Sequence, residues 1–266
     1  WREGTHGGWQ YIDGYDDIEP VIGYYDEGLP EVADWEIKMM VEHGYDYQRF
    51  CWYHSGRYGA MKHSGLSSAL HDGYFNAKYS DLVDFCIMWE NSWQDVNSLD
   101  QFKEIIWNYW KEHFFNDDRY VRLDNKALIT VWDYNALMNA FGGTPEALKA
   151  GIDFMNEDIK TLGYDGVIIL QQVQGETGQG TYEHYSKLGL DGTYGYHWNV
   201  SGYNADYQIK CNETNAVNSA NGSSHHIPTI SVGFNNVGRG DTRHPVITGE
   251  DHLKVAENIK EILSKS

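Results

Sequence analysis

Residues 83–91 have the sequence Val-Asp-Phe-Cys-Ile-Met-Trp-Glu-Asn, an apolar run that ends in a carboxylate and an amide. A short, nearly continuous apolar run is typical of a strand that is buried on both faces of a parallel sheet. Similar runs occur on either side of it. We therefore predict strands at residues 20–26, 47–54, 83–89, 127–132, 166–173, 193–198 and 228–234.

Amphipathic stretches separate these runs and predict helices at 30–44, 98–115, 144–163 and 248–263. Ser98 and Thr144 are positioned as N-caps, and Pro145 suits a first helical residue. The helix at 98–115 should bury a stripe made of Phe102, Ile105, Ile106, Tyr109, Trp110 and Phe114. The last helix should bury Leu253, Ala256, Ile259 and Leu263. The Asn/Ser/Gly-rich tract at 212–224 indicates a surface loop.

Strands that alternate with helices indicate an α/β fold with a parallel sheet covered by helices. Neither a GxGxxG nor a GxxxxGK[ST] sequence is present, which argues against a dinucleotide- or nucleotide-binding sheet. Seven units nearly fill a (β/α)8 barrel, a fold of about 250 residues. We predict one TIM-type barrel domain over residues 1–266, apparently lacking or truncated at its eighth βα unit.

The composition excludes some classes of protein. A formal charge of −19 opposes binding to a phosphate backbone, so no nucleic-acid partner is expected. No apolar run is long enough to span a membrane. The three cysteines have no disulfide or metal-ligand spacing, and no cofactor is expected. The chain begins with Trp1, which indicates a processed or trimmed end and would suit a secreted, periplasmic or cell-surface location in a bacterium. The oligomeric state stays open.

The chain is rich in aromatic residues, with 10 Trp, 20 Tyr and 9 Phe. In a barrel the active site lies at the carboxyl ends of the strands. There, aromatic faces can cover sugar rings while amides and carboxylates bind hydroxyls. An oligo- or polysaccharide is therefore the expected partner. The substrate-binding candidates are Tyr25, Trp52, Tyr53, His54, Trp89, Asn91, Trp93, Trp132, Tyr134, Gln172, Tyr196, His197, Trp198, Asn235 and Arg239.

Three carboxylates at the predicted strand ends are the catalytic candidates: Asp26, Glu90 and Asp133. Each could instead accept hydrogen bonds from loop N–H groups, and each aromatic could instead belong to the core. His197 is an alternative acid or base. Neither His54 nor His197 has HxH or HExxH spacing, so no metal site is predicted.

An ordered series of segments resembles a known family. Residues 85–93, Phe-Cys-Ile-Met-Trp-Glu-Asn-Ser-Trp, are similar to its Trp-Ala-Asn-Glu-Asn-Trp. The other matching segments are 22–26, 42–46, 50–53, 118–128, and 233–236 with Arg239, Thr242 and Arg243. On these segments the chain resembles the WbsX-like proteins, which are related to the endo-α-mannosidases of glycoside hydrolase family 99.

The resemblance implies a (β/α)8 barrel that acts on glycans, with retention of configuration in the characterised glycosidases. Their catalytic carboxylates lie in an Asn-Glu-Trp-x-Glu-Gly sequence after the eighth strand, and this sequence is absent here. Glu90 falls where the family tends to have Ala, and Ser92 lies near where it has Glu. The catalytic pair therefore cannot be carried over residue by residue: it lies beyond Ser266, is lost or has been relocated.

Three functions stay open. The first is an endo-acting glycoside hydrolase, and the second is an inactive carbohydrate-binding barrel. The third is a polysaccharide-biosynthesis glycosyltransferase, although the chain has no DxD sequence to hold a metal and nucleotide sugar. The sugar and the linkage are not predicted.

Overall fold

The computed structural model describes residues 22–23, 25–55, 59–60, 67–94, 96–198, 204–232 and 247–265. The strands are β1 (Tyr47–Ser55), β2 (Gly59–Ala60), β3 (Asp84–Glu90), β4 (Arg122–Leu123), β5 (Lys126–Val131), β6 (Gly166–Val173), β7 (Gly192–Gly195) and β8 (His225–Ile227). The helices are α1 (Pro30–Glu42), α2 (Leu99–Gln101), α3 (Asn108–Trp110), α4 (Tyr134–Ala140), α5 (Pro145–Asp158), α6 (Gln179–Leu188), α7 (Ala205–Asn221) and α8 (Gly249–Leu263). Short 3-10 or π-helical turns lie at Ala69–Gly73, Tyr74–Asn76, Ser80–Leu82, Asn91–Trp93, Phe102–Trp107, Lys111–Phe115 and Ile159–Leu162.

The strands form a sheet in the order β2-β1-β3-β5-β6-β7-β8, with β4 paired to β5. β1, β3 and β5 pair in parallel, and so do β6, β7 and β8, whereas β2 and β4 are antiparallel additions. Each parallel strand lies beside the next one along the chain. The order does not reverse, as it would in a doubly wound sheet, and it is the order of a (β/α) barrel.

The described residues divide into two compact units, residues 22–169 and residues 170–265. The first contains β1 to β5 and helices α1 to α5, and the second contains β7, β8 and helices α6 to α8. A single domain over residues 1–266 therefore stays a prediction. We describe the two units separately.

Several predicted helix ends are confirmed. The side-chain oxygens of Ser98, Thr144 and Thr248 each accept a hydrogen bond from the backbone N–H three residues later. Pro145 is the first residue of α5, where its missing N–H leaves no hydrogen bond unmade. The 3-10 turn that follows α5 ends at Gly163, whose φ of 83° is readily adopted by glycine.

Aromatic side chains form much of the core of the first unit. The Trp110 ring lies edge-on to both Trp52 and Trp89, with ring centroids 5.7 and 5.3 Å apart. Of the predicted stripe, Ile105 was placed wrongly, since it is 40% exposed. It lies within the π-helical turn Phe102–Trp107, where the wider turn rotates side chains away from α-helical spacing.

Two predicted strands are wrong in the residues that the structure describes. Ile22, Gly23, Tyr25 and Asp26 are not in a strand; Gly23 has a φ of 75° and Asp26 begins a turn towards α1. The last described strand is β8, which ends just before Pro228, so the prediction for 228–234 began too late. Proline has no N–H to donate to a sheet ladder and suits the end of a strand.

The last helix is correctly located, but its buried face was misassigned. Leu253 and Leu263 are more than half exposed. The buried residue is Val255, which packs in a small apolar cluster with Ile259 partly buried one turn later. Apolar residues occur on both sides of this helix, so periodicity alone did not identify the face that packs.

The tract predicted to be a surface loop is largely part of α7, whose buried face is polar. Asn212 is fully buried, and its amide donates to Thr229 O and accepts from Thr229 N, both at 3.0 Å. Gln208 makes the same two-way contact with Ser231, at 2.8 and 2.9 Å. A side-chain amide that both donates to and accepts from the backbone can be buried without leaving its oxygen or nitrogen unpaired. They hold the segment after β8 against α7.

Candidate functional site

The pleat of β1 and β3 separates the predicted site residues into two groups. In the parallel register Trp52 lies beside Trp89, and Tyr53 lies beside Glu90. Successive side chains on a strand point to opposite faces. Trp52 and Trp89 both pack against Trp110 of α3, so they lie on the face of the sheet that the helices cover. Tyr53 and Glu90 therefore lie on the opposite face. The N–H of Trp132 donates to Trp89 O at 3.0 Å and extends this ladder to the end of β5.

The helix-facing group is packed into the core. Trp52 and Trp89 have no exposed surface, and His54 is 7% exposed. The Trp52 ring stacks on Tyr109 with centroids 5.4 Å apart. Burial raises the pKa of Tyr109. These side chains therefore pack in the core. Their contact with a ligand stays a prediction.

Glu90 is the central residue of the other group, which we call the Glu90 cluster (Tyr53, Glu90, Ser92 and Trp132). The Ser92 hydroxyl donates to Glu90 Oε1 at 2.5 Å. Glu90 Oε2 is shielded from solvent and has no hydrogen-bond partner among the described residues. A carboxylate oxygen of this kind needs a donor. Tyr53 and Trp132 are both partly exposed.

Asn91 and Asp133 join the ends of β3 and β5. The Asn91 amide donates to Asp133 O and accepts from Asp133 N, both at 2.8 Å. Asp133 Oδ1 in turn accepts from Ala136 N at 2.6 Å and caps α4, whose first residue is Tyr134. Asn91 is fully buried. Its polar atoms are used in joining the two strand ends next to Glu90, and sugar binding by Asn91 stays a prediction.

Removing this link should destabilise the protein. We expect Asn91→Ala to lower the free energy of unfolding by about 1–3 kcal/mol, because it leaves backbone groups of Asp133 without their partner. Urea unfolding would measure the loss, and amide hydrogen exchange should accelerate at Asp133. Asn135→Ala, on the exposed side of α4, is the matched control and should change neither. Equal effects of the two variants would contradict the assigned role.

The third carboxylate candidate, Asp26, lies in the turn before α1. Its Oδ1 accepts from Gly28 N at 2.9 Å, and its backbone oxygen accepts from Leu29 N. Burial raises the pKa of the neighbouring Tyr25, and the charge of Glu36 adds to the shift. These contacts give Asp26 a role in the turn, and its catalytic role stays a prediction.

In the second unit, Gln172 and Tyr194 lie side by side on β6 and β7. Beyond β7, Tyr196 is 40% exposed and its ring lies 5.6 Å from that of His197. Trp198 is fully buried, and its indole N–H donates to Thr229 O at 3.1 Å. Gln172, Tyr196 and His197 therefore keep accessible surface, whereas Trp198 packs against the segment that α7 holds.

Among the predicted residues, Asn235 and Arg239 lie outside the described residues, as does the side chain of Trp93. The part of the chain that the structure describes contains no group of three or more His, Cys, Asp or Glu side chains arranged to hold a metal. Within the same residues, no helix combines the length and apolar character needed to cross a membrane.

The sequence interpretation missed a buried polar chain in the second unit. Thr193 Oγ1 is 3.0 Å from the Tyr182 hydroxyl and 2.8 Å from His226 Nδ1. Burial lowers the pKa of His226 from 6.5 to about 4. The polar residues within β7 and β8 were the available signal, but they do not identify which hydroxyl faces the histidine.

His226 should make stability depend on pH. The unfolded chain takes up a proton below pH 6.5, whereas the folded chain does so only near pH 4. The free energy of unfolding is therefore undiminished above pH 6.5 and falls by up to about 3 kcal/mol as the pH drops towards 4. Glu36, whose pKa is raised by burial and by Glu27, contributes with the opposite sign.

Urea unfolding at a series of pH values from 7 to 4 measures this dependence. His226→Gln should flatten the slope, and His225→Gln, at the exposed neighbour, should leave it unchanged. A slope that survives in His226→Gln would assign the pH dependence to other groups.

Comparison with solved structures defines the fold class. A chain described as "Glycoside hydrolase-like protein" matches with a TM-score of 0.65 and 13% identity, covering 91% of this chain and 75% of that one. The GH99 endo-α-mannosidase from Bacteroides thetaiotaomicron, in complex with Bis-tris-propane, matches with a TM-score of 0.57 and 14% identity, covering 92% and 71%. The chain therefore has the α/β fold of GH99-type TIM-barrel proteins.

The family follows from the sequence. The family model described as "Glycosyltransferase WbsX" matches residues 1–266. The chain belongs to the WbsX family, as its segments predicted. No curated protein matches it.

Proposed function

We propose that this chain acts on a glycan at the Glu90 cluster and hydrolyses a glycosidic bond, as an endo-acting enzyme on a polysaccharide. The unpartnered Oε2 of Glu90 carries the proposal. It is an acceptor at the carboxyl end of a parallel strand, where barrel enzymes have their active sites. Tyr53 pairs with Glu90 in the β1–β3 register, Trp132 directly follows β5, and both are partly exposed. Aromatic side chains can cover the apolar faces of sugar rings.

Glycoside hydrolysis needs a carboxylate that attacks the sugar or activates water, and a carboxylic acid that protonates the leaving oxygen. We assign the first role to Glu90, since Ser92 donates to Oε1 while Oε2 has no partner among the described residues. Oε2 is shielded from solvent in the structure, so this role requires that substrate binding expose it. Asp133 follows the neighbouring strand and is the candidate partner, although its Oδ1 caps α4. Retention of configuration is proposed from the likeness to GH99.

A glycosyltransferase is the second candidate, because the family's description names that activity. A barrel that binds glycans without turnover is the third. Both predict a different outcome from hydrolysis. Transfer consumes a nucleotide sugar and lengthens an acceptor, whereas hydrolysis consumes water and releases a new reducing end.

The test is to incubate the purified chain with α-linked mannan and with a panel of bacterial polysaccharides, and to measure new reducing ends. We expect their release in the middle of the chains, which size-exclusion chromatography would show as a rapid fall in polymer length. Parallel calorimetry with nucleotide sugars should show no binding. Nucleotide-sugar binding without new reducing ends would favour the transferase, and glycan binding without any turnover would favour the binding barrel.

A further inference from the structure

Ser92 links the carboxylate of Glu90 to an exposed position. It lies in the 3-10 turn Asn91–Trp93, directly after β3, and the residue is exposed. Its hydroxyl donates to Glu90 Oε1 at 2.5 Å, a separation typical of a hydroxyl that donates to an ionised carboxylate. Glu90 Oε2, in contrast, is shielded from solvent. Within the Glu90 cluster, Oε1 is therefore the carboxylate oxygen that is joined to an exposed polar group.

A serine hydroxyl can both donate and accept, and in Ser92 the donor is already used. The group has one hydrogen and two lone pairs. The Ser92 hydrogen is directed at Glu90, so a water molecule that meets the hydroxyl oxygen must donate to it. Water, Ser92 and Glu90 would then form two hydrogen bonds in series, along which a proton can move to a catalytic base. This route ends at Oε1 and does not depend on exposure of Oε2.

We infer that Ser92 relays a proton from water to Glu90 Oε1 during hydrolysis. This inference rests on the proposed function and adds a second reacting side chain to its site. Inverting and retaining hydrolysis both contain a step in which a carboxylate takes a proton from water. In that step the water gives a proton to Ser92 Oγ, while the Ser92 hydrogen passes to Glu90 Oε1. The water oxygen bonds to the anomeric carbon as the bond from that carbon to its leaving oxygen breaks. Ser92 ends neutral, and Glu90 ends as the protonated acid.

A relay and a hydroxyl that only orients the carboxylate differ in the number of protons that move. Through the relay, the hydrogens of water and of Ser92 both move in the chemical step. If Ser92 only orients Glu90, its own hydrogen stays in place. The single-turnover rate in mixtures of H2O and D2O distinguishes the two, because each additional moving proton makes the dependence on deuterium content more strongly curved. We expect stronger curvature in a protein that keeps the hydroxyl at residue 92 than in one that lacks it.

Two variants of the same shape isolate the hydroxyl. Ser92→Thr keeps it, whereas Ser92→Val replaces it with a methyl group. Assayed as the full chain on a polysaccharide that the wild type cleaves, Ser92→Thr should retain most of the activity and the curved isotope dependence. Ser92→Val should lower kcat at least about tenfold at unchanged KM, with a straighter dependence. Ser264→Val, at an exposed serine directly after α8, is the control and should match the wild type.

Equal kcat values for Ser92→Thr and Ser92→Val would overturn the relay. A lower kcat in Ser92→Val with the isotope dependence unchanged would also overturn it, and would leave Ser92 as a residue that orients Glu90. In both cases, a Glu90→Gln variant that has lost turnover would leave the proposed function standing. A wild-type chain that hydrolyses none of the polysaccharides would remove the proposed function, and the relay with it.

Discussion

Glu90→Gln is expected to lower kcat for polysaccharide hydrolysis by at least about a hundredfold while the protein stays folded. The substitution keeps the size of the side chain, and its amide oxygen can still accept from Ser92. It removes the carboxylate, whose oxygen would attack the sugar or deprotonate water. Loss of a positioned carboxylate in such a reaction typically costs two to four orders of magnitude or more. Reducing-end release under substrate saturation measures the effect.

Glu104→Gln is the matched control, since it makes the same chemical change on an exposed helical residue and should retain full activity. Thermal unfolding should show both variants within a few degrees of the wild type. A Glu90→Gln variant that is folded and turns over substrate at a near wild-type rate would contradict the catalytic role of Glu90. A modest loss of affinity with kcat unchanged would restrict Glu90 to sugar binding.

The second large effect concerns neighbouring residues with opposite roles. Trp52→Ala should lower the free energy of unfolding by about 3–5 kcal/mol, because it opens a cavity against Tyr109 and Trp110 in the core. Tyr53→Ala should cost much less stability, since this side chain is partly exposed on the other face. It should weaken glycan binding about tenfold through loss of an aromatic surface.

Urea unfolding and glycan-binding calorimetry on the two variants separate these roles. Trp35→Ala, at an exposed position on α1, controls for the removal of a tryptophan and should destabilise the protein little. Where Trp52→Ala does not fold, Trp52→Phe offers a smaller cavity with the same expected direction. Wild-type glycan affinity in Tyr53→Ala, or wild-type stability in Trp52→Ala, would contradict the assignment of faces.

Much of the fold could be predicted from the sequence because its strands and caps have strong local signals. The apolar run of β6 was predicted with the observed bounds, and Thr144 with Pro145 correctly located the start of α5. α7 could not be recognised in the same way. Its buried face carries Gln208 and Asn212, whose partners are backbone groups of a segment distant in the sequence. No periodicity of apolar residues exists there to detect.

The sequence predicted that the candidate site lies at the strand ends. It did not predict that the candidate residues divide between the two faces of the sheet. Trp52 and Tyr53 are adjacent aromatic residues, and composition predicts contact with the sugar equally for both. Only the packing of Trp110 against Trp52 and Trp89 determines which face the helices cover. Asn91 and Asp133 were predicted to contact substrate. Their mutual hydrogen bonds depend on the register between β3 and β5, which sequence spacing does not specify.

The most direct test of the proposed function is a crystal structure of the Glu90→Gln variant with an oligosaccharide that the wild type cleaves. We expect a sugar hydroxyl or the anomeric carbon within about 3.5 Å of the residue 90 side chain, with a sugar ring against Tyr53 or Trp132. An oligosaccharide bound elsewhere on the protein, with residue 90 making no contact to it, would contradict the proposal.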